Sequence, residues 1–424
     1  MVPPTAGAGT GTPEMRRDTA TAPPLSVEEA RARILANLMQ VEDTELVTLS
    51  AANGRVLAED LSAREPVPAF SNSAMDGYAL AASDLPQAEE RRLRVIGKSL
   101  AGHPHTGSVG KNECVRIMTG AMLPQGCDTV IMQEEVRTAG EEIVVGTGHR
   151  AGENVRLPGG DIPGGSRVLS GGRRLRPADL GVIASLGLAQ VQVRRRVRVA
   201  VFGTGDELRE PGAPLAPGQI YERNRYTLGA SLANMGAEVR DLGIIPDEPA
   251  AIRAAMHQTM QADMVLTSGG VSVGDTDYVR QILGELGEIR FWRVAMKPGK
   301  PLAFGRLGRA WFFGLPGNPV SALVTFQLFV APALRALAGE TYREPLTLRA
   351  RTLGTFDKRP GRAEFARGML RREAGAWLVE TAGSQDSSAL SSMSRADCLI
   401  LLPAAATTVP AGSEVEVMPF DALP

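Results

Sequence analysis

The sequence predicts a multidomain α/β protein, and three features of its patterning carry that assignment. From Val197 to about Leu337, apolar strand-like runs alternate with helical periodicity, which implies a mainly parallel sheet with helices on both faces. From Glu45 to about Leu175 the apolar runs are short, with turns at Asn53-Gly54, Gly102, Gly107, Gly110, Gly126 and Gly159-Gly160, so this region reads as β-rich. After Glu340 short strands return, among them Leu399 to Leu402 and Glu414 to Met418, giving a compact C-terminal β domain that is barrel-like.

Each element has a local cause. Residues 1–24 are rich in Pro, Ala, Thr and Gly and read as a flexible tail. Ser26 and Glu29 form a capping-box pattern ahead of Val27, Ala30, Ile34 and Leu38 at helical spacing. A Gly/Arg-rich patch from Gly164 to Arg176 leads to Pro177, which suits the first turn of a helix reaching Leu186. The strand Val197 to Phe202 opens the alternating region. Then come a helix near Tyr226 to Met235 closed by Gly236, a strand to Ile245, and a helix with Pro249 near its start. A strand into Ser268, a helix from about Asp275 to Leu286, and a long apolar helix from Pro319 to about Leu337 complete it.

At 424 residues the chain is too long for one core. A net charge of −1 and 4% aromatic residues give no basis for nucleic-acid binding or attraction to an anionic membrane. Cys114, Cys127 and Cys398 are scattered without a CxxC pair, which indicates a reducing, cytoplasmic setting. No window is expected to match the roughly 18 apolar residues of a membrane span.

Three glycine-punctuated loops read as one anion pocket: Thr267-Ser268-Gly269-Gly270, Lys297-Pro298-Gly299-Lys300 and Leu315-Pro316-Gly317-Asn318-Pro319. Glycines let backbone N–H groups approach a phosphate, and loops at the carboxyl ends of neighbouring parallel strands converge. Any one of these loops could be a structural turn. Two of only five lysines in the chain, Lys297 and Lys300, lie in the set, which favours phosphate. Glu207, Asp247, Asp275 and Asp277 follow predicted strands at the same edge, either as oxygen ligands for Mg²⁺ or as helix caps. Gly203-Thr204-Gly205-Asp206-Glu207 is neither a dinucleotide fingerprint nor a P-loop.

In the β-rich region, Phe70 to Tyr78 could present Asp76 as an ordered carboxylate or be a plain turn. Arg116 to Ala121, with Thr119, and Asn154 to Asp161 add polar groups near glycines but carry no signal alone. His103 and His105 read as a surface loop. Arg362 and Arg367 read as outward residues of an alternating strand, or Arg362 as an oxyanion ligand.

The stretches SNSAMDGYA, RIMTGA, ENVRLPGGD, GTGDEL, TSGGVSVGDTDYV, MKPGKPLAFG, FGLPGNPVSA and GRAEFAR occur in the order found in the MoeA/gephyrin E-domain family. The chain resembles these molybdopterin molybdenumtransferases from about Ser26 to its C-terminus. The resemblance implies an elongated homodimer of four-domain subunits: domain I (25–45 and 165–195), domain II (46–164), domain III (196–338) and domain IV (339–424). Domain III would be a three-layer α/β unit like molybdopterin adenylyltransferase.

The implied reaction inserts molybdate into adenylylated molybdopterin with Mg²⁺-dependent hydrolysis of the adenylate, releasing AMP and molybdenum cofactor. Ser268, Gly269, Gly270, Pro298, Gly299, Lys300, Gly317 and Asn318 would hold pterin phosphate and nucleotide. Asp247, Asp275 and Asp277, with Glu207 nearby, would place Mg²⁺. Lys297, Ser321 and Arg362 would grip molybdate, while Asp76, Thr119 and Asp161 would come from the partner subunit. Arg293 stands where many relatives have Lys. Transient contacts with molybdopterin adenylyltransferase and with cofactor-accepting molybdoenzymes are also implied. Adenylyl transfer and a peptide-binding scaffold are the rival readings; the flanking domains weigh against the first, and the absence of a companion domain in this chain against the second.

Overall fold

The computed structural model describes residues 23–269 and 278–420. The central unit is a six-stranded sheet in the order Glu238–Ile245, Arg198–Thr204, Met264–Ser268, Ala310–Leu315, Pro301–Leu307, Gly287–Arg293. The first four strands are mutually parallel. Pro301–Leu307 runs antiparallel to both its neighbours, so Gly287–Arg293 regains the direction of the other four. Its carboxyl end therefore opens at the same sheet edge as theirs, and the Lys297–Lys300 loop leaves from that edge. Helices cover both faces. Leu228 and Leu232 of Asn224–Asn234 and the helical run 319–337 pack on one face, Ile252, Met256, Ile282 and Leu283 on the other.

That helical run is long and apolar enough to span a membrane, contrary to the expectation from sequence, and 78% of its apolar window is buried inside the protein. It is the core helix of this unit. Its middle turn, Phe326–Val330, is a π-helix, and Ala331 N–H reaches back to the Phe326 carbonyl. Pro332 follows at once. A proline inside a helix lacks its N–H and crowds the carbonyl four residues earlier, and a π turn accommodates it without breaking the helix.

The N-terminal helix, Val27–Asn37, starts at a complete capping box: Glu29 N–H donates to Ser26 Oγ at 3.1 Å and Ser26 N–H to Glu29 Oε2 at 2.9 Å. Its buried face of Val27, Ala30 and Ile34 joins the core of the central unit. Thr44–Thr48 pairs antiparallel with Gln190–Arg194, closing a small unit around Leu57, Leu169, Leu175, Ile183 and Val193. Between these ends the chain forms a separate six-stranded sheet, in which Gly77–Leu80 pairs with both Glu113–Ile117 and Thr129–Met132.

The C-terminal region closes on itself. Ala363–Glu373, Ala376–Thr381, Leu348–Thr352, Glu414–Pro419 and Cys398–Leu402 pair in sequence, and the last pairs back with the first. This five-stranded barrel meets the expectation of a barrel-like β domain.

Phe329 sits in the π turn with no exposed surface. Phe329→Ala should cost about 3–5 kcal/mol by opening a cavity there. Urea unfolding followed by tryptophan fluorescence reads the effect, since Trp292 and Trp311 share that core; an unshifted midpoint would refute it.

Candidate functional site

Three loops of the central sheet meet at its carboxyl edge because their glycines allow it. Gly269 has φ 92°, and a Cβ there would stand 2.8 Å from the Thr204 carbonyl oxygen, while a Cβ on Gly317 would stand 3.9 Å from the Gly269 Cα. Gly299 has φ 100°, and a Cβ there would stand 2.5 Å from Thr325 Oγ1. Asn224 staples two of the loops: its Nδ2 donates to Ser268 Oγ at 2.6 Å and to the Gly317 carbonyl at 2.7 Å. Ser268 is 4% exposed, and its hydroxyl serves this staple. Asn224 was missed in sequence, where nothing separates it from other helix-start asparagines.

The edge opens into a cleft of about 860 Å³ between the central unit and the barrel. Gly269, Lys297, Pro298, Gly299, Lys300, Gly317, Asn318, Ser321 and Arg362 all line it, with Glu207 and Asp247 at the rim. Thr204 also lines it, and its buried Oγ1 has no hydrogen-bond partner among the described residues. Gly270, Asp275 and Asp277 lie outside the described residues. Arg293 ends its strand on the surface and is absent from the lining.

The barrel supplies the opposite wall. Met296–Lys297 pairs in parallel with Ala363–Glu364, and Lys297 Nζ lies 3.2 Å from Glu364 Oε2. Gln385, Asp386 and Ser387 complete this wall. Ser387 docks on the start of the core helix, accepting from Asn318 Nδ2 at 3.0 Å through Oγ and from Val320 N–H at 3.1 Å through its carbonyl. The loop is shaped from inside the barrel by Arg367. This arginine is 1% exposed and donates to the carbonyls of Ser384 and Asp386 at 2.8 and 3.0 Å. The outward arginine expected at 367 is thus corrected: two loop carbonyls need a buried donor, and Arg367 is it. The segment Ser384 to Ser388 was missed because its polar residues have no spacing that distinguishes them from a surface turn.

At the rim Asp247, Asp206 and Glu207 crowd together, with Asp247 N–H donating to Asp206 Oδ1 at 3.2 Å. Burial raises the Asp247 carboxyl above its usual range, and the charges of Asp206 and Glu207 add to the rise. Hard oxygen donors under like-charge crowding are the setting in which a divalent cation binds.

A second cluster lies in the six-stranded β region. Asn72-Ser73 pairs with Val155-Arg156, Gly120 N–H donates to the Ser73 carbonyl, and Ala74 N–H to that of Asn154. Phe70 to Tyr78 and the two stretches that carried no signal alone are therefore one structure. Asp76 Oδ1 accepts from Thr119 N–H and Oγ1, both at 2.8 Å, and these bonds hold its carboxyl below the usual range. Asp161 is exposed at the end of the third stretch. Asp76, Thr119 and Asp161 do not line the cleft of their own chain. His105 is wedged between Gly97 and Gly107 and joins no metal-ligand group with His103 among the described residues.

Comparison with known proteins accounts for nearly the whole chain. Residues 25–187 match the MoeA N-terminal region (domain I and II), 200–336 a probable molybdopterin binding domain, and 349–420 the MoeA C-terminal region (domain IV). A molybdopterin molybdenumtransferase of Haemophilus influenzae is 43% identical over 404 residues, covering 94% of this chain and 99% of that one. One from Bacillus subtilis is 34% identical over 93% of this chain and 94% of its own. The crystal structure of the molybdopterin biosynthesis MoeA protein of Pyrococcus horikoshii superposes with a TM-score of 0.82 at 29% identity, covering 94% of this chain and 100% of that one.

Asp247→Asn tests the rim electrostatics. A carboxyl with a raised folded-state pKa is ionised in the unfolded chain before the folded one, so it costs stability as pH rises above about 3.9, with the full cost reached past its folded value. The variant should therefore melt higher than the parent at neutral pH, with the gap closing near pH 4; a lower melting temperature at pH 7 would overturn this account.

Proposed function

The chain belongs to the MoeA family of molybdopterin molybdenumtransferases, and on that premise we propose that it inserts molybdate into adenylylated molybdopterin and releases AMP. It is a transferase of molybdenum cofactor biosynthesis, with molybdopterin and molybdate as its substrates. One observation supports the finer reading above others: the cleft gathers three cations, three glycine loops and a carboxylate rim within one space.

The parts divide by chemistry. Lys297, Arg362 and the Ser321 hydroxyl, the last in the first turn of the core helix, all line the cleft and would bind molybdate, a tetrahedral dianion that takes charge-assisted hydrogen bonds. Gly269, Gly299 and Gly317 leave backbone open to the substrate's phosphates, and Lys300 adds charge on that side. Glu207 and Asp247, with Asp206, would hold Mg²⁺. Bound there, the ion supplies neutralisation of the negative charge on the adenylate. No protein nucleophile is required; positioning and electrostatics carry the reaction.

Asp76, Thr119 and Asp161 complete the site from a second copy of the chain. Their absence from the cleft of their own chain supports this, as do the large apolar side chains exposed around them: Phe70 (43%), Met75 (44%), Met122 (45%) and Leu157 (65%). Such a patch around a polar centre marks a surface that meets another protein.

Lys297→Ala should raise the molybdate concentration needed for half-maximal AMP release by about 10–100-fold, the worth of a charge-assisted contact, while leaving the melting temperature near that of the parent. Unchanged molybdate dependence would remove Lys297 from the site. A mixing experiment tests the shared site. Asp76→Ala and Lys297→Ala, each inactive at limiting molybdate, are refolded together; random pairing should restore about a quarter of parental activity, because each mixed dimer has one intact site. No recovery from proven mixed dimers would sink the shared site.

A further inference from the structure

One of the cleft's lysines is paired with an acid that is not itself part of the lining. Glu364 is fixed opposite Lys297 by the parallel register of Met296–Lys297 on Ala363–Glu364, and by the antiparallel register of Glu364 on Leu402. Its side chain is only 14% exposed, and its Oε2 lies 3.2 Å from Lys297 Nζ. Arg362, two residues upstream on the same wall, lines the cleft. One of the cleft's cations is thus partly neutralised before any anion arrives, and by backbone pairing rather than by a chance rotamer.

We infer that Glu364 is a specificity-determining residue, which lowers the field of the anion site so that molybdate is chosen over sulfate. The inference rests on the reading of Lys297 as a molybdate ligand. Sulfate has the same charge and the same tetrahedral shape as molybdate, so neither charge count nor donor geometry separates them well. They differ in size. Sulfate is the smaller ion, holds its water more tightly, and needs a stronger field to be stripped of it. A site of high field repays that cost and favours the small ion; a weakened site favours the larger, more weakly hydrated one. Glu364 supplies the weakening by sharing Lys297.

Glu364 is a carboxylate paired with a cation of the anion site, so removing its charge should improve binding of both ions, with the larger gain for sulfate. The test measures AMP release from adenylylated molybdopterin against molybdate, with sulfate as competitor, for the parent, Glu364→Gln and Glu364→Asp. Glu364→Gln keeps shape and hydrogen bonding without charge; it should lower the molybdate KM by about 2–5-fold, the range of a part-exposed ion pair, and the sulfate Ki by more, about 10-fold. Glu364→Asp, which keeps the charge, should hold the parental ratio of sulfate Ki to molybdate KM. A lost fold would move all constants without this split, and the aspartate variant controls for it. If Glu364→Gln leaves the ratio unchanged or raises it, the inference fails. If Lys297→Ala leaves molybdate dependence unchanged, the reading of the site fails first, and the two failures are distinguishable.

Discussion

Two residues of parallel ladder join the two halves of the cleft. Met296–Lys297 leaves the central sheet and pairs with Ala363–Glu364 of the barrel, and Ala363 N–H donates to the Ala295 carbonyl at 2.9 Å. Everything charged in the anion site depends on that short strand. It sets Lys297 against Glu364, brings Arg362 to the wall, and fixes the gap across which the barrel loop meets the core helix. The pairing holds because both sides are anchored in apolar core. Phe365 and Leu399 of the barrel share one cluster with Met296, Val320 and Phe329 of the central unit. Backbone pairing at such a joint fixes position more tightly than an exposed ion pair could, because exposed pairs contribute little.

The same economy appears in the loops. Asn224, Arg367 and Ser387 turn hydrogen-bonding groups onto neighbouring loop residues, so the lining is held from behind. Buried polar groups that are satisfied this way rigidify a site. Thr204 Oγ1 at the lining and Asn224 Oδ1 behind it are buried without a partner among the described residues, and the acids Asp206, Glu207 and Asp247 are left crowded together. Strain of this kind is stored where a ligand relieves it. The central unit is thus stiff in its backbone and unbalanced in its charge, which suits a reaction that runs on positioning.

Much of this was legible without coordinates. The alternation of strand and helix, the capping box at Ser26, the carboxyl-edge loops and the barrel-like ending follow from local periodicity, turn residues and caps, all of which act over a few neighbours. The pair of lysines in a lysine-poor chain pointed to the anion pocket, and Lys297, Lys300 and Arg362 do share one cleft. Residues whose importance comes from what they touch across the chain were not legible. Asn224 joins positions 44 and 93 residues away. Arg367 reads as one more charge on an alternating strand, yet barrel closure turns it inward. The span-like helix at 319–337 shows the limit from the other side, since apolar composition is the same for a membrane segment and a core helix.

The sequence by itself determined the element types, the order of the units and the chemical class of the pocket, because those depend on residue type and short-range spacing. Tertiary structure decided which groups face each other. It made one structure of Asp76, Thr119 and Asn154, and separated that structure from the cleft of its own chain. It also set a carboxylate beside the lysine that the pocket was recognised by. Register across a ladder and closure of a barrel are long-range constraints, and no local pattern encodes which residue they will place opposite which.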